Sequence, residues 1–272
     1  MSDDIQTIID LAATAYEPQV LEPGKYYAIP NPAGGIVEID LTGEQWADAP
    51  KRIRGTTNVT DIASLFTYWD KHADPISDMF ADPTRHRFEA VLDAHDATGG
   101  MGPDWQQHRA VCTLTLSDPM KAWKQFNDQG MTQEQFGEFL DEQMPFIVAP
   151  EAADLVEMVQ HFEATTTASF KSAVKMQSGQ RMLQYVEQVD ASMSTGTIAV
   201  PRTIEVRLPV WRNMPTTVDL TALLRFRVRG DKLTLSYKLV QLADVIDGAF
   251  AAVVGEVTEH IGRPVLLGTP LA

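Results

Sequence analysis

Five side chains able to exchange protons or bind metal lie close together between residues 89 and 108. Glu89, Asp93 and His95 fall at even spacing with Val91 between them, so a single extended strand would present them on one face. Asp96 follows directly, and His108 opens the next apolar stretch. Carboxylates and an imidazole gathered in this way can hold a divalent cation, which would polarise a phosphoryl oxygen or activate a water. The metal candidates are then Glu89, Asp93 and His95, and the catalytic candidates are Asp93, His95 and His108. No HExxH, paired Cys/His or EF-hand spacing accompanies them. The plainer expectation is an exposed strand face on which His95 caps a turn, with no cofactor and no enzyme chemistry.

Other reactive types read as structural. Gly99-Gly100-Met101-Gly102 is followed by Pro103-Asp104-Trp105, where a phosphate-binding loop would need Lys and Ser or Thr entering a helix. No GxSxG elbow is present. Cys112, the single cysteine, lies between apolar neighbours and reads as core. His72, His161 and His260 fall near helix C-termini, where a cation suits the helix dipole. Trp69, Trp105, Trp123 and Trp211 read as packing or interface anchors.

The elements that position these residues can be read from periodicity. Residues 5–15 suit a short amphipathic helix, 17–35 a Pro- and Gly-broken loop, and 36–41 a strand, with 42–57 irregular. Val59, Ile62, Leu65, Phe66 and Trp69 predict a helix over 58–72 with Asn58 as its N-cap. Strands are expected over 85–95 and 108–115. Ser117-Asp118-Pro119 starts a helix ended by Gly130, Thr132 and Gln135 form a capping box for the next, and a third covers 151–163.

Beyond residue 165 the period changes to two. Ser178-Gly179 joins strands over 171–176 and 181–189, and further strands cover 203–211 and 217–229 with a return strand after Gly230-Asp231. A wide apolar stripe over 243–261, closed by Gly262 and Pro264, is a long C-terminal helix that packs on the dry sheet face. The fold class is α+β: a twisted antiparallel sheet with a C-terminal helix, a helix-rich middle and a small N-terminal α/β part. The expected division is 1–57, 58–165 and 166–272, the last two forming one continuous domain.

The 272 residues carry 22 Lys and Arg against 37 Asp and Glu, a net charge of −15. That balance excludes a uniformly basic nucleic-acid module, and one cysteine excludes a disulfide framework. No apolar run approaches the roughly 18 residues of a membrane span. With the acidic start Met1-Ser2-Asp3-Asp4 and the single cysteine, this predicts a soluble intracellular protein with no membrane partner. The charge is segregated. Residues 200–240 hold eight basic and three acidic side chains, a net of +5, which leaves −20 elsewhere. Arg225, Arg227 and Arg229 share one strand face, and Arg207, Lys232 and Lys238 join them on the polar side of the sheet.

This basic face has three readings. It is a solvated face neutralised locally, or a surface that meets the acidic flank of another copy and closes rings or shells, or a phosphate-following surface for nucleic acid. The third lacks aromatics on the arginine face for stacking on single strands, since Phe226 falls on the opposite face of the strand.

Several stretches together resemble the YfdQ-like family of phage and prophage proteins. They are Ala-Val-Leu-Asp-Ala-His (90–95), His-Arg-Ala (108–110), the Trp123 helix with Gln-Phe-Gly-Glu-Phe-Leu (135–140), and Pro145 to Pro150. In the C-terminal half they are Ser178-Gly179, Tyr185 with Glu187, Val200-Pro201, Leu-Pro-Val-Trp (208–211), Leu-Arg-Phe-Arg-Val (224–228) and the 262–270 ending. The resemblance covers about 60–270 and is weakest over the first 55 residues. It implies a phage product encoded near recombination or host-takeover functions, and it transfers no catalytic residue. Asp93, His95, His108 and Arg109 match recurrent positions of that family. The expected function is a non-enzymatic, self-associating homo-oligomer whose further partners are nucleic acid or a host or phage protein. The alternatives are a nucleic-acid accessory of phage recombination and a metal-dependent hydrolase or nuclease.

Overall fold

The computed structural model describes residues 5, 7, 20–31, 34–95, 104–164, 169–175, 181–189, 192–229 and 232–271. The chain divides into two units between Gly55 and Thr56. In the first, strands β1 (Tyr26–Pro30) and β2 (Ile36–Asp40) pair antiparallel, with Tyr26 opposite Asp40 and Pro30 opposite Ile36. The prolines around β1 suggested loop, but Tyr26, Tyr27 and Ile29 favour a strand and the partner ladder supports it. Gly34 and Gly35 reverse the chain at φ 98° and 93°, a region a side chain would strain. The helix expected over 5–15 lies almost wholly outside the described residues.

The second unit begins within strand β3 (Gly55–Val59), where an irregular segment was expected. A five-stranded sheet runs in the order β14–β4–β5–β6–β3. Its members β4 (Asp78–Asp82), β5 (Arg87–Val91) and β6 (His108–Thr113) pair antiparallel, while β14 (Leu266–Leu267) pairs parallel with β4. Helix α1 (Ile62–His72) starts later than Asn58. Thr57 and Val59, both β-branched, join β3 instead, and the cap is Asp61, whose carboxylate accepts the Ser64 amide at 2.8 Å.

A four-stranded sheet runs in the order β13–β12–β11–β7. Its strands are β7 (Ile147–Ala149), β11 (Thr203–Pro209), β12 (Thr217–Arg229) and β13 (Lys232–Leu239). The segment after helix α2 (Asp118–Gln125) covers the outer edge of β13. There Met131 exchanges both backbone hydrogen bonds with Leu235, and the Asp128 amide donates to Tyr237. Helix α2 ends at Gln125 rather than Gly130, because Asp128 already turns the chain at φ 62°. Ser117 caps α2 and Thr132 caps helix α3 (Gln133–Gln143) with the full capping box.

Helix α4 (Ala152–Ala164) precedes a three-stranded antiparallel sheet of β8 (Ser169–Lys175), β9 (Arg181–Val189) and β10 (Ser192–Val200), with β9 central. The β8–β9 pairing bears out the hairpin, although Ser178-Gly179 and Met176 lie outside the described residues. Strand β10 was not anticipated, since its Ser, Thr and Gly content weakens the alternation.

One core joins both larger sheets. Helix α5 (Leu242–Ile261) buries Ile246, Phe250, Val253 and Val257 with Leu220, Ala222 and Leu224 of β12, as the C-terminal stripe predicted. Phe250 also reaches Phe88 of β5, with ring centroids 5.1 Å apart. Gly262 closes α5 at φ 67°. This is an α+β protein. No helix among the described residues is long and apolar enough to cross a membrane.

Candidate functional site

The even spacing of Glu89, Asp93 and His95 does not make a common face, because β5 ends at Val91 and the chain turns at Leu92 and Asp93. Glu89 is buried beside two guanidinium groups, accepting from Arg87 Nη2 at 2.7 Å and Arg109 Nη1 at 3.0 Å. Arg109 also donates to the carbonyls of Gln106 and Leu271, at 2.8 and 2.7 Å. Asp93 spends both carboxylate oxygens on backbone amides, those of Gln107 at 2.9 Å and His108 at 2.8 Å. His95 Nδ1 accepts the Asp104 amide at 3.0 Å. Asp96 and the Gly99–Gly102 run lie outside the described residues.

His108 is buried on β6, with its Nε2 2.9 Å from the Tyr68 hydroxyl. That hydroxyl also accepts from Thr57 Oγ1 at 3.1 Å. Desolvation, followed by the neighbouring His72, pushes the His108 pKa down, and Asp93 opposes this. The cluster therefore joins β3, α1 and β6 as a structural knot. Among the described residues, no three His, Cys, Asp or Glu side chains are placed to share a metal ion. The metal candidates are instead tied separately, Glu89 by arginines, Asp93 by amides of Gln107 and His108, and His95 by the Asp104 amide.

Cys112 is buried on β6, and burial pushes its thiol up to about 11. Trp69, Trp123 and Trp211 are buried while Trp105 is exposed, so they form no common cage. Arg263 sits 5.5 Å from the centre of the Trp69 ring and donates to the carbonyls of Asp74, Pro75 and Ser77. His260 stacks on Phe66 and pairs with Asp70 at 3.0 Å. The His161 side chain lies outside the described residues.

The polar side of the four-stranded sheet is less uniformly basic than its arginine spacing suggested. Arg207 is neutralised across the β11–β12 ladder by Asp219, through Nε–Oδ1 at 2.6 Å and Nη2–Oδ2 at 3.1 Å. Arg212 pairs with Asp118 at 2.6 Å, and Arg225 pairs with Asp128 at 3.0 Å. Register places Arg227 opposite Thr234 and Arg229 opposite Lys232; the side chains of Arg229 and Lys232 lie outside the described residues. Arg202, Arg227 and Lys238 are exposed and have no ion pair among the described residues.

Two open grooves border this face. The first, of about 720 Å³, is lined by Arg202, Arg225, Arg227, Thr234 and Ser236 together with Asp128 and Gly130. The second, of about 380 Å³, has Phe126, Met131 and Phe139 in its floor and Gln135, Glu138 and Glu142 on its rim, and it too reaches Gly130. Sequence reasoning placed the capping box of α3 but missed this acidic flank. Its signal was available: Glu134, Glu138 and Glu142 recur every fourth residue in a helix that has no Lys or Arg. Asp128 was missed because nothing local links it to Arg225, 97 residues away.

An α+β core carrying one basic and one acid-rimmed groove is the class that fold and surface define. The chain belongs to a family described as an uncharacterized conserved protein family, DUF2303, which it matches over residues 2–270, so the match extends through the first 55 residues as well. No curated protein and no solved structure matches it.

Proposed function

We propose that this is a non-enzymatic phage or prophage protein that works as a homo-oligomer, its copies meeting through the basic groove of the four-stranded sheet. The observation that carries this reading is the groove itself. Arg202 and Arg227 line it without an acidic partner among the described residues, and Lys238 is exposed on the same sheet, in a chain of net charge −15. The acidic surface of another copy supplies the missing counter-charges. The metal and catalytic candidates support the same reading, since Glu89, Asp93, His95 and His108 are each committed to internal bonding. The phage setting rests on the resemblance of the stretches over 60–270 to YfdQ-like proteins.

The test is native mass by light scattering, with the absorbance ratio at 260 and 280 nm recorded. The wild-type chain should give one discrete oligomer free of nucleic acid. Arg202→Glu combined with Arg227→Glu should reduce that mass and leave the circular dichroism spectrum unchanged. An unchanged mass overturns the proposal. Co-purifying nucleic acid that is lost in the variant replaces it with the recombination-accessory reading, in which binding falls steeply with salt.

A further inference from the structure

The basic groove has an acidic counterpart a few residues away on the same surface. Glu134, Glu138 and Glu142 are exposed on α3, with Asp141 beside them, and none has an ion pair among the described residues. Carboxylates at i, i+4 and i+8 repel one another along a helix. Asp141 and Glu142 also sit in the last turn, where the helix dipole is already negative. The helix contains no cation to relieve either effect. On the sheet, Arg225 and Arg227 repeat the problem with opposite sign, and among the described residues only Arg225 is relieved, by Asp128. The turn at Gly130 lies between the two charge ladders within one molecule, since Gly130 borders both grooves.

We infer that the partner of each basic groove is the α3 groove of a second copy, and that the contact is reciprocal. The inference rests on the self-association proposed above and names the surface that completes it. Two complementary patches on either side of one turn suit a two-fold axis that lies in the interface and runs along that turn. Arg202 and Arg227 of one copy then face Glu138 and Glu142 of the other, and the same contact recurs on the far side of the axis. The apolar floor of Phe126, Met131 and Phe139 is covered in the same step, once on each side of the axis. The contact closes on itself, so the unit of assembly is a dimer.

Two charge-reversed chains test this. One carries Arg202→Glu and Arg227→Glu, the other Glu138→Arg and Glu142→Arg. Each alone should run at monomer mass, with its dimer dissociation constant raised at least about tenfold. Mixed in equal amounts they should form a heterodimer, because both contacts are then again between opposite charges. If the arginine variant keeps the wild-type mass, the self-association reading falls, and this inference falls with it. If the arginine variant dissociates but the glutamate variant does not, self-association stands and the α3 surface is not its partner. If both dissociate and the mixture stays monomeric, the two surfaces do not face each other. A wild-type mass above a dimer that survives at low concentration overturns the reciprocal contact in favour of a head-to-tail ring. If Glu138→Arg with Glu142→Arg fails to fold, Glu138→Gln with Glu142→Gln removes the charge conservatively. That chain should still lose dimer affinity, and unchanged affinity overturns the inference.

Discussion

Glu89 and Arg109 form an ion pair of 3.0 Å between β5 and β6, with only 10% and 17% of their side chains exposed. Arg87 holds the other carboxylate oxygen at 2.7 Å. Two guanidinium groups thus share one largely buried anion, and removing the anion leaves both without compensation. Glu89→Ala should therefore lower the unfolding free energy by about 3 kcal/mol, the loss typical when one member of a buried pair is removed. Glu89→Gln, which keeps the shape and one acceptor, should lose less. Urea denaturation measures both, and equal midpoints for the wild type and Glu89→Ala would show that the arginines re-solvate without cost.

The fully buried Tyr237 donates its hydroxyl to the Trp123 carbonyl at 2.8 Å and links β13 to α2. Its ring also stacks with Phe139 of α3. Tyr237→Phe keeps the ring and removes one hydrogen bond, leaving a buried carbonyl short of a donor. The expected loss is about 1–2 kcal/mol with no change in fold, read as a lower urea midpoint at constant slope.

The buried Cys112 thiol is pushed up to about 11, so at pH 8 it is almost wholly protonated in the folded chain. A disulfide reagent such as 5,5′-dithiobis(2-nitrobenzoate) should find no reactive thiol in the native protein and one per chain in denaturant. Fast labelling of the native protein would place Cys112 at the surface and contradict the packing of β6.

The legible parts of this fold were those with an unbroken period. The α5 stripe, the alternation of β11 to β13 and the Thr132–Gln135 capping box all appear as read. Strand β4 was missed because its five residues begin and end in Asp, and its strand character comes from the ladder with β5. The site was less legible for the same reason. Spacing placed Glu89, Asp93 and His95 on one face, but spacing cannot report that the strand stops at Val91. Arginine spacing likewise located the basic sheet face, while the neutralising Asp128 comes from a loop held against β13 by tertiary hydrogen bonds.

The position of the α1 cap gives a direct test of one such correction. Asp61 accepts the Ser64 amide at 2.8 Å and the Ser64 hydroxyl at 3.0 Å, and those bonds hold its carboxyl below the usual range. Asp61→Ala should destabilise the protein by about 1 kcal/mol. Asn58→Ala should cost less, since Asn58 lies in β3 and the helix cap is Asp61. The reverse order in thermal melts would restore the earlier helix start.

His86 and His108 should set the stability of the protein between neutral and mildly acidic pH. Burial pushes both pKa values below the ordinary 6.5, with Lys124 adding to the effect at His86 and His72 at His108. Asp82 and Asp247 oppose it at His86, and Asp93 opposes it at His108. Between the depressed folded values and about 6.5, the unfolded chain binds more protons than the folded one, so stability rises with pH across that window. The stabilisation is complete above about 6.5 and is lost as the pH falls through the folded values. The carboxylates held low by hydrogen bonds, such as Asp61, lose their contribution only in more acidic solution. Melting temperature should therefore fall from pH 7.5 to 5.5 in the wild type. His86→Gln and His108→Gln should each flatten that slope, and an unchanged slope in the double variant would assign the pH response to other groups.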